Sequence, residues 1–205
     1  MSLAVLVMGL MLLKPTAVQY IGMAVVVGEM STGRNLMRLL NAGSGQRPFL
    51  APWLNLDKQA VWNPDIICDF GNPLDPAPFV DGSVDVIVSH HNLEHYGCGE
   101  ADEMLKYCHR LLGPRGYLLV FVPDMWELTA MWREGHLSDQ VFFTNVYGAY
   151  MGHEADRHKW GFTRFSLTET LYNAGFKRVR PFDWRDVYGA DLAKDRWVLA
   201  MEASK

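Results

Sequence analysis

The amino-acid sequence predicts an α/β domain built on a largely parallel sheet, and three observations carry that expectation. Short apolar runs alternate with stretches of helical periodicity from Met37 onward. Two of these runs, VDVIV (84–88) and YLLVFV (117–122), are apolar enough to be strands covered on both faces. Glycines and acids stand at the ends of successive runs, where open parallel sheets bind their ligands. The chain of 205 residues has ordinary globular composition and suffices for one well-packed domain.

Residues 1–36 read as an appended apolar N-terminal segment, partly buried. LAVLVMGLMLL (3–13) has the length of a signal-peptide core, but no basic residue precedes it, and Lys14 and Pro15 stand where small cleavage-site residues belong. Export is therefore not expected. Neither this run nor IGMAVVVG (21–28) reaches the roughly 20 residues needed to span a bilayer, so no membrane span is expected.

Residues 37–205 form the main domain. Strands are expected at MRLLNA (37–42), WLNLD (53–57), DIICD (65–69), VDVIVS (84–89) and YLLVFV (117–122), with two more near FKRVRPF and RWVLAMEA. Ala101, Met104, Leu105, Cys108, Leu111 and Leu112 recur at helical spacing until Gly113 and Pro114 stop them. MWELTAMWRE after Asp124 predicts a second helix, with Trp126 and Trp132 in the core. SLTETLYNAGF predicts a third, capped by Ser166 with Glu169 three residues on. Helical and strand patterns both lapse over 135–161, an aromatic, histidine-rich interval that reads as a lid or substrate insert. Tyr147, Tyr150, Trp160 and Phe162 are its candidate clasp.

The formal net charge of −4 provides no basic footprint, so a nucleic-acid partner is not expected. Cys68, Cys98 and Cys108 make no CxxC pair and are odd in number, which points to a reducing, cytoplasmic setting. Cys68 and Cys108 lie in apolar surroundings and read as core residues.

The segment NAGSGQRPF follows the first strand, and its Gly43 and Gly45 allow a tight turn that a ligand can approach closely. It is not a dinucleotide fingerprint. Pro48 occupies the place of the third glycine, and the next strand-terminal acid, Asp57, comes too early. Asp57, at the tip of WLNLD, suits a different task, accepting both hydroxyls of a ribose. Asp69 ends the third strand, so Gly43, Asp57, Asp69 and Ser89 are expected along one crevice. The alternative, that each Asp is a turn residue or cap, applies to any one taken singly.

With these motifs in view, the chain resembles the class I S-adenosylmethionine-dependent methyltransferases, in the small bacterial branch of the methyltransferase type 11 kind. LNAGSG, WLNLD, DIICD, PFVDGSVDVIVS, LEH, RLLGPRGYL, VPD and HKWGFT-SL run in that branch's order over about residues 37–202. The resemblance implies a Rossmann-like, seven-stranded, mostly parallel sheet with one antiparallel strand near the C-terminus and helices on both faces. It implies S-adenosyl-L-methionine as cofactor. Asn41, Gly43 and Gly45 match the motif that holds its amino-acid end, and Asp57 matches the acid that grips ribose. Lys58 falls beside adenine, Asp69 and Phe70 match the adenine-edge segment, and Ser89 with His90 face the methyl group. One departure is that only eight residues separate Gly45 from Leu54, too few for the usual first helix. The apolar N-terminal segment is the expected cover for the sheet face so exposed.

The stretch SHHNLEHYG holds three of the chain's seven histidines and contains an HxxEH string, His91, Glu94 and His95. A zinc-hydrolase helix is not expected, since Tyr96, Gly97 and Gly99 interrupt it at once. Some class I methyltransferases acting on vicinal hydroxyls carry ExxEH here and bind a divalent metal. His91 in place of the first glutamate favours a softer metal or none. The other reading is that Glu94 and His95 only fix the loop by hydrogen bonds, and no metal is assigned. If the acceptor must lose a proton, His90 is the first candidate base, then His95, with His158 closing over the acceptor. The function expected is methyl transfer from S-adenosylmethionine to a small-molecule or glycan-like acceptor. The alternative is a non-catalytic nucleoside-binding or scaffolding module with the same fold. Acceptor atom and oligomeric state stay open.

Overall fold

The computed structural model describes residues 38–46, 48–70, 72, 79–149, 154–183 and 196–205. The N-terminal segment and Tyr150 lie outside these residues, and with them the expectation that the segment covers the sheet.

Seven strands form one sheet: Leu39–Ala42 (β1), Trp53–Asp57 (β2), Ile66–Ile67 (β3), Val84–His90 (β4), Leu112–Pro123 (β5), Arg178–Pro181 (β6) and Val198–Ser204 (β7). Their order is β3-β2-β1-β4-β5-β7-β6. Strands β1 to β5 pair in parallel, and β7 runs antiparallel to both its neighbours, so the Rossmann-like sheet expected from the sequence is present. Connections leave β1 in one direction and β4 in the other, which opens a crevice beyond the C-terminal ends of these two neighbours. Among the described residues between β1 and β2 there is no helix, as the short connection requires.

Side chains alternate across a strand, so one-sided cover would leave every second residue wet. Here Ile87, Leu118 and Val120 join the main apolar cluster. The alternating residues Val86, Val88, Leu119 and Phe121 are buried as well, which is why these strands carry so few polar side chains.

Among the described residues four α-helices accompany the sheet: Cys98–Leu111 (α1), Met125–Arg133 (α2), Asp139–Tyr147 (α3) and Arg164–Asn173 (α4). α1 buries Ala101, Met104, Leu105, Cys108 and Leu111, the stripe predicted from its spacing, and α4 brings Leu167 and Leu171 to the same cluster. Asp124 caps α2 by accepting from the Trp126 and Glu127 amides at 2.9 and 3.4 Å. No helix among the described residues is long and apolar enough to cross a membrane.

Three details depart from expectation. Neither tryptophan of α2 is in the core: Trp126 is 76% exposed and Trp132 only half-buried, because α2 turns Leu128 and Met131 inward instead. The cap of α4 is Thr163, whose Oγ1 accepts from the Ser166 amide at 3.2 Å; Ser166 sits three residues inside and returns the bond to Thr163 N–H. The 135–161 interval contains α3, capped by Ser138; it buries no residue fully, so it has no apolar stripe to betray it.

One surface group ties the fold to pH. His109 of α1 packs edge-on against Phe176 at 5.1 Å, and partial burial together with Lys205 and Lys177 holds its imidazole below the ordinary value of 6.5. A histidine so depressed takes its proton more readily in the unfolded chain. The stability it contributes is whole above pH 6.5 and declines as pH falls through the folded value. Urea midpoints should therefore drop on acidification from pH 7.5 to about 5.5, and His109→Gln should flatten that drop. Equal slopes in the two proteins would show that His109 plays no part.

Candidate functional site

The turn after β1 is fastened to β2 at three points. The Gly43 and Ser44 amides donate to Leu56 O at 2.8 and 2.9 Å, and the Gly45 amide donates to Asp57 Oδ2 at 2.8 Å. Gly43 and Gly45 have φ of +73° and +48°, the left-handed region that suits glycine. Asp57 also accepts from the Gln59 amide through Oδ1 at 2.8 Å. Each carboxylate oxygen offers about two lone-pair directions, so each retains one for a ligand hydroxyl.

Gly43, Gly45, Asp57, Lys58 and Phe70 line one crevice with Gln46, Trp62, Asn92 and Tyr96. Lys58 Nζ stands 5.7 Å from the centre of the Tyr96 ring. Burial and the nearby Asp69 carboxylate push the Tyr96 phenol well up, so it stays protonated and donates to Asp69 Oδ1 at 3.5 Å. Asp69 thus borders the crevice through Tyr96. Asn41 is set beneath it, where its Nδ2 donates to Asn55 Oδ1 at 3.0 Å and ties β1 to β2. Ser89 is fully buried at the end of β4, and its Oγ has no hydrogen-bond partner among the described residues.

The histidines form the other wall. His91 and His95 line the crevice, while His90 packs its ring on Phe121 at 5.3 Å and on His91 at 4.6 Å. His91 has φ +48°, an unusual value for a residue with a side chain and a strain found often at active sites. Its Nδ1 lies 3.0 Å from Oε1 of the buried Glu94. Burial alone would push the Glu94 carboxyl up; the hydrogen bond from His91 and the attraction of His91, His95 and His158 outweigh it, so the group is held below its ordinary value and stays ionised. An ionised carboxylate only accepts, so His91 carries a hydrogen on Nδ1, and in the neutral ring its lone pair is on Nε2.

His158 reaches this wall from far along the chain. The Lys159 and Trp160 amides both donate to Glu94 O, at 2.8 and 3.2 Å, and the His158 amide donates to Tyr147 O at 3.0 Å. The anchored segment sets the His158 ring 4.8 Å from that of His95. Burial pushes the His158 imidazole below its ordinary value, more than Glu94 and the Asn145 carbonyl raise it. Of the expected aromatic clasp, Tyr147 and Trp160 are exposed, whereas Phe162 is buried in the main cluster. Sequence reasoning missed His91 as a base candidate, since its left-handed backbone and its bond to Glu94 leave no mark on residue spacing.

Comparison with known proteins agrees with the fold. Residues 51–120, which hold β2, β3, β4, α1 and most of β5, match the model of a family described as Methyltransferase domain. The matched residues are those of a methyltransferase domain, and the fold of the chain is shared with solved SAM-dependent methyltransferases. A SAM-dependent methyltransferase from Archaeoglobus fulgidus is 14% identical, with a TM-score of 0.57 over 94% of this chain and 96% of that one. The CMeT domain of the citrinin polyketide synthase is 12% identical, with a TM-score of 0.58 over 91% of this chain and 52% of that one. A phosphoethanolamine N-methyltransferase from Haemonchus contortus, solved with phosphomonomethylethanolamine and S-adenosylhomocysteine, is 14% identical, with a TM-score of 0.53 over 91% and 52%. The chain spans about half the length of the last two, and these likenesses concern the fold. Among curated proteins no sequence relative matches.

The Haemonchus contortus structure holds S-adenosylhomocysteine, and the residues present in this chain suit an S-adenosylmethionine cofactor. Asp57 retains acceptor capacity for ribose, Phe70, Tyr96 and Lys58 offer ring and cation faces for adenine, and the fully buried Ser89 Oγ is left for a polar partner.

Proposed function

We propose that the protein transfers the methyl group of S-adenosylmethionine to a small-molecule or glycan-like acceptor. The observation that carries this is the Asp57 carboxylate, which braces the Gly43–Gly45 turn and lines the same crevice as His91 and His95. When bound, the cofactor supplies a methyl group on a sulfonium sulfur, open to in-line displacement by an acceptor lone pair. Asn41, Gly43, Gly45, Asp57, Lys58, Asp69, Phe70 and Ser89 are the proposed cofactor residues, Asn41 acting through the strand pair beneath the turn.

The enzyme's contribution is then alignment, water exclusion and a place for the acceptor proton. The histidine wall supplies that place. His91 is the best-supported base, because Glu94 holds its Nδ1–H and leaves Nε2 as the acceptor nitrogen. His90 backs its ring, and His95 and His158 stand beside it as the further candidates. The aromatic and imidazole content of this wall suits a polar ring as acceptor. A reducing, cytoplasmic setting agrees with three cysteines that make no disulfide among the described residues.

Calorimetry tests the reading. S-adenosylhomocysteine should bind at one site per chain and NADH at none; an inert S-adenosylhomocysteine titration would overturn it. Acceptors can be found by following S-adenosylhomocysteine release across hydroxyl, amine and sugar compounds. With such an acceptor, His91→Gln should lower kcat by about 10²- to 10⁴-fold with little change in cofactor affinity. A variant that turns over at the parent rate would remove His91 as the base.

A further inference from the structure

Glu94, His95 and His158 each bring a metal-ligating atom into one small volume, all within 4.8 Å of one another. Two independent features mark the cluster as more than a chance meeting. Both imidazoles have Nδ1 against a backbone carbonyl, His95 on Arg157 O at 3.2 Å and His158 on Asn145 O at 2.8 Å. A carbonyl accepts only, so Nδ1 bears a hydrogen in each ring, and in the neutral ring Nε2 bears the lone pair. Metal-binding histidines are held in this way, by a hydrogen bond from the distal nitrogen. The second feature is Glu94. Its side chain is 1% exposed, Oε1 is taken by His91, and Oε2 has no hydrogen-bond partner among the described residues. A buried carboxylate oxygen left in that state is costly unless something electropositive meets it.

We propose that Glu94, His95 and His158 form a binding site for one divalent transition-metal ion of the zinc class. Two imidazole nitrogens and one carboxylate oxygen make the donor set of a three-ligand zinc site, with a fourth tetrahedral position left for water or an acceptor oxygen. Magnesium suits it poorly, since that ion prefers octahedral oxygen ligands and keeps its water. Ligands about 2.0 Å from a tetrahedral ion lie roughly 3.3 Å apart, so the cluster must draw in by an ångström or so, a movement within reach of side-chain torsions. The arrangement differs from a metal held by the HxxEH string itself. His91 is spent on Glu94 Oε1, where it steadies the ligand, and the third donor comes from His158, brought in by the Glu94 carbonyl through Lys159 and Trp160.

This inference stands apart from methyl transfer, and its test reads binding alone. The full chain, stripped with a chelator, is titrated with ZnCl2 by calorimetry. One ion per chain is expected, undisturbed by millimolar MgCl2. His158→Ala should weaken binding by at least ~100-fold, beyond the cost of losing an outer hydrogen bond. His136→Ala, an exposed histidine elsewhere, should change nothing. Co2+ should develop visible absorption in the parent and lose it in His158→Ala. Glu94→Gln should also lose the ion; if that buried change prevents folding, the His158 variant, checked by its circular dichroism, decides. No stoichiometric binding in the parent, or equal affinity in the parent and His158→Ala, would overturn the proposal.

Discussion

Asp57→Ala should cut the affinity for S-adenosylhomocysteine by about 5- to 150-fold, the equivalent of roughly 1 to 3 kcal/mol for hydrogen bonds to a charged group. The loss has two sources. The carboxylate lines the crevice and retains lone pairs for the ribose hydroxyls, and it also fixes the walls of that crevice by accepting from the Gly45 and Gln59 amides. Removing it leaves two amides to find water and lets the Gly43–Gly45 turn loosen. Asp57→Asn keeps one acceptor oxygen, but its amide nitrogen then faces a donor, so an intermediate loss is expected. Calorimetry with S-adenosylhomocysteine on the three proteins orders them parent, Asn, Ala. Unchanged binding in Asp57→Ala would place the nucleoside elsewhere.

Gly43→Ala should be the most damaging single-methyl change in the turn, lowering stability by about 2 to 5 kcal/mol. Its φ of +73° costs a side chain roughly 1 to 2 kcal/mol by itself. The added Cβ would also lie 2.2 Å from Asn92 Cγ and Oδ1, an overlap that must displace Asn92. That residue is nearly buried and leads directly into the 3-10 turn Leu93–His95, so the histidine wall shifts with it. Gly45→Ala is the internal control. Its φ is +48°, but a Cβ there meets nothing within 4 Å, so only the backbone cost of about 1 to 2 kcal/mol should appear. Thermal melts should separate the two variants, with Gly43→Ala down by roughly 4 to 20 °C. Equal melting temperatures would mean that the turn relaxes away from Asn92.

Much of this molecule was readable from local pattern. WLNLD is β2 from its first residue to its last, and the spacing of Ala101, Met104, Leu105, Cys108 and Leu111 is the buried stripe of α1. Such features depend on a period of two or 3.6 residues, which a linear sequence displays directly. The errors have the same root. Trp126 and Trp132 are six positions apart, roughly 240° around a helix, so they cannot share one face; Trp126 is exposed while Trp132 stacks on Phe142 at 4.5 Å. α3 has no fully buried residue, so no apolar period announced it.

By itself the sequence determined the parallel sheet and the order of the strand-end motifs, and it placed Gly43, Gly45, Asp57, Lys58 and Phe70 along one crevice, because strand tips of such a sheet converge where its order reverses. Asn41, Asp69 and Ser89 do not line it. Only the tertiary structure decided which side chains the histidines meet. His95 and His158 are brought together by two amides donating to the Glu94 carbonyl, and His91 turns to the Glu94 carboxylate through a left-handed backbone. Contacts of that kind are chosen by how a distant loop satisfies its backbone hydrogen bonds, and no residue spacing encodes that choice.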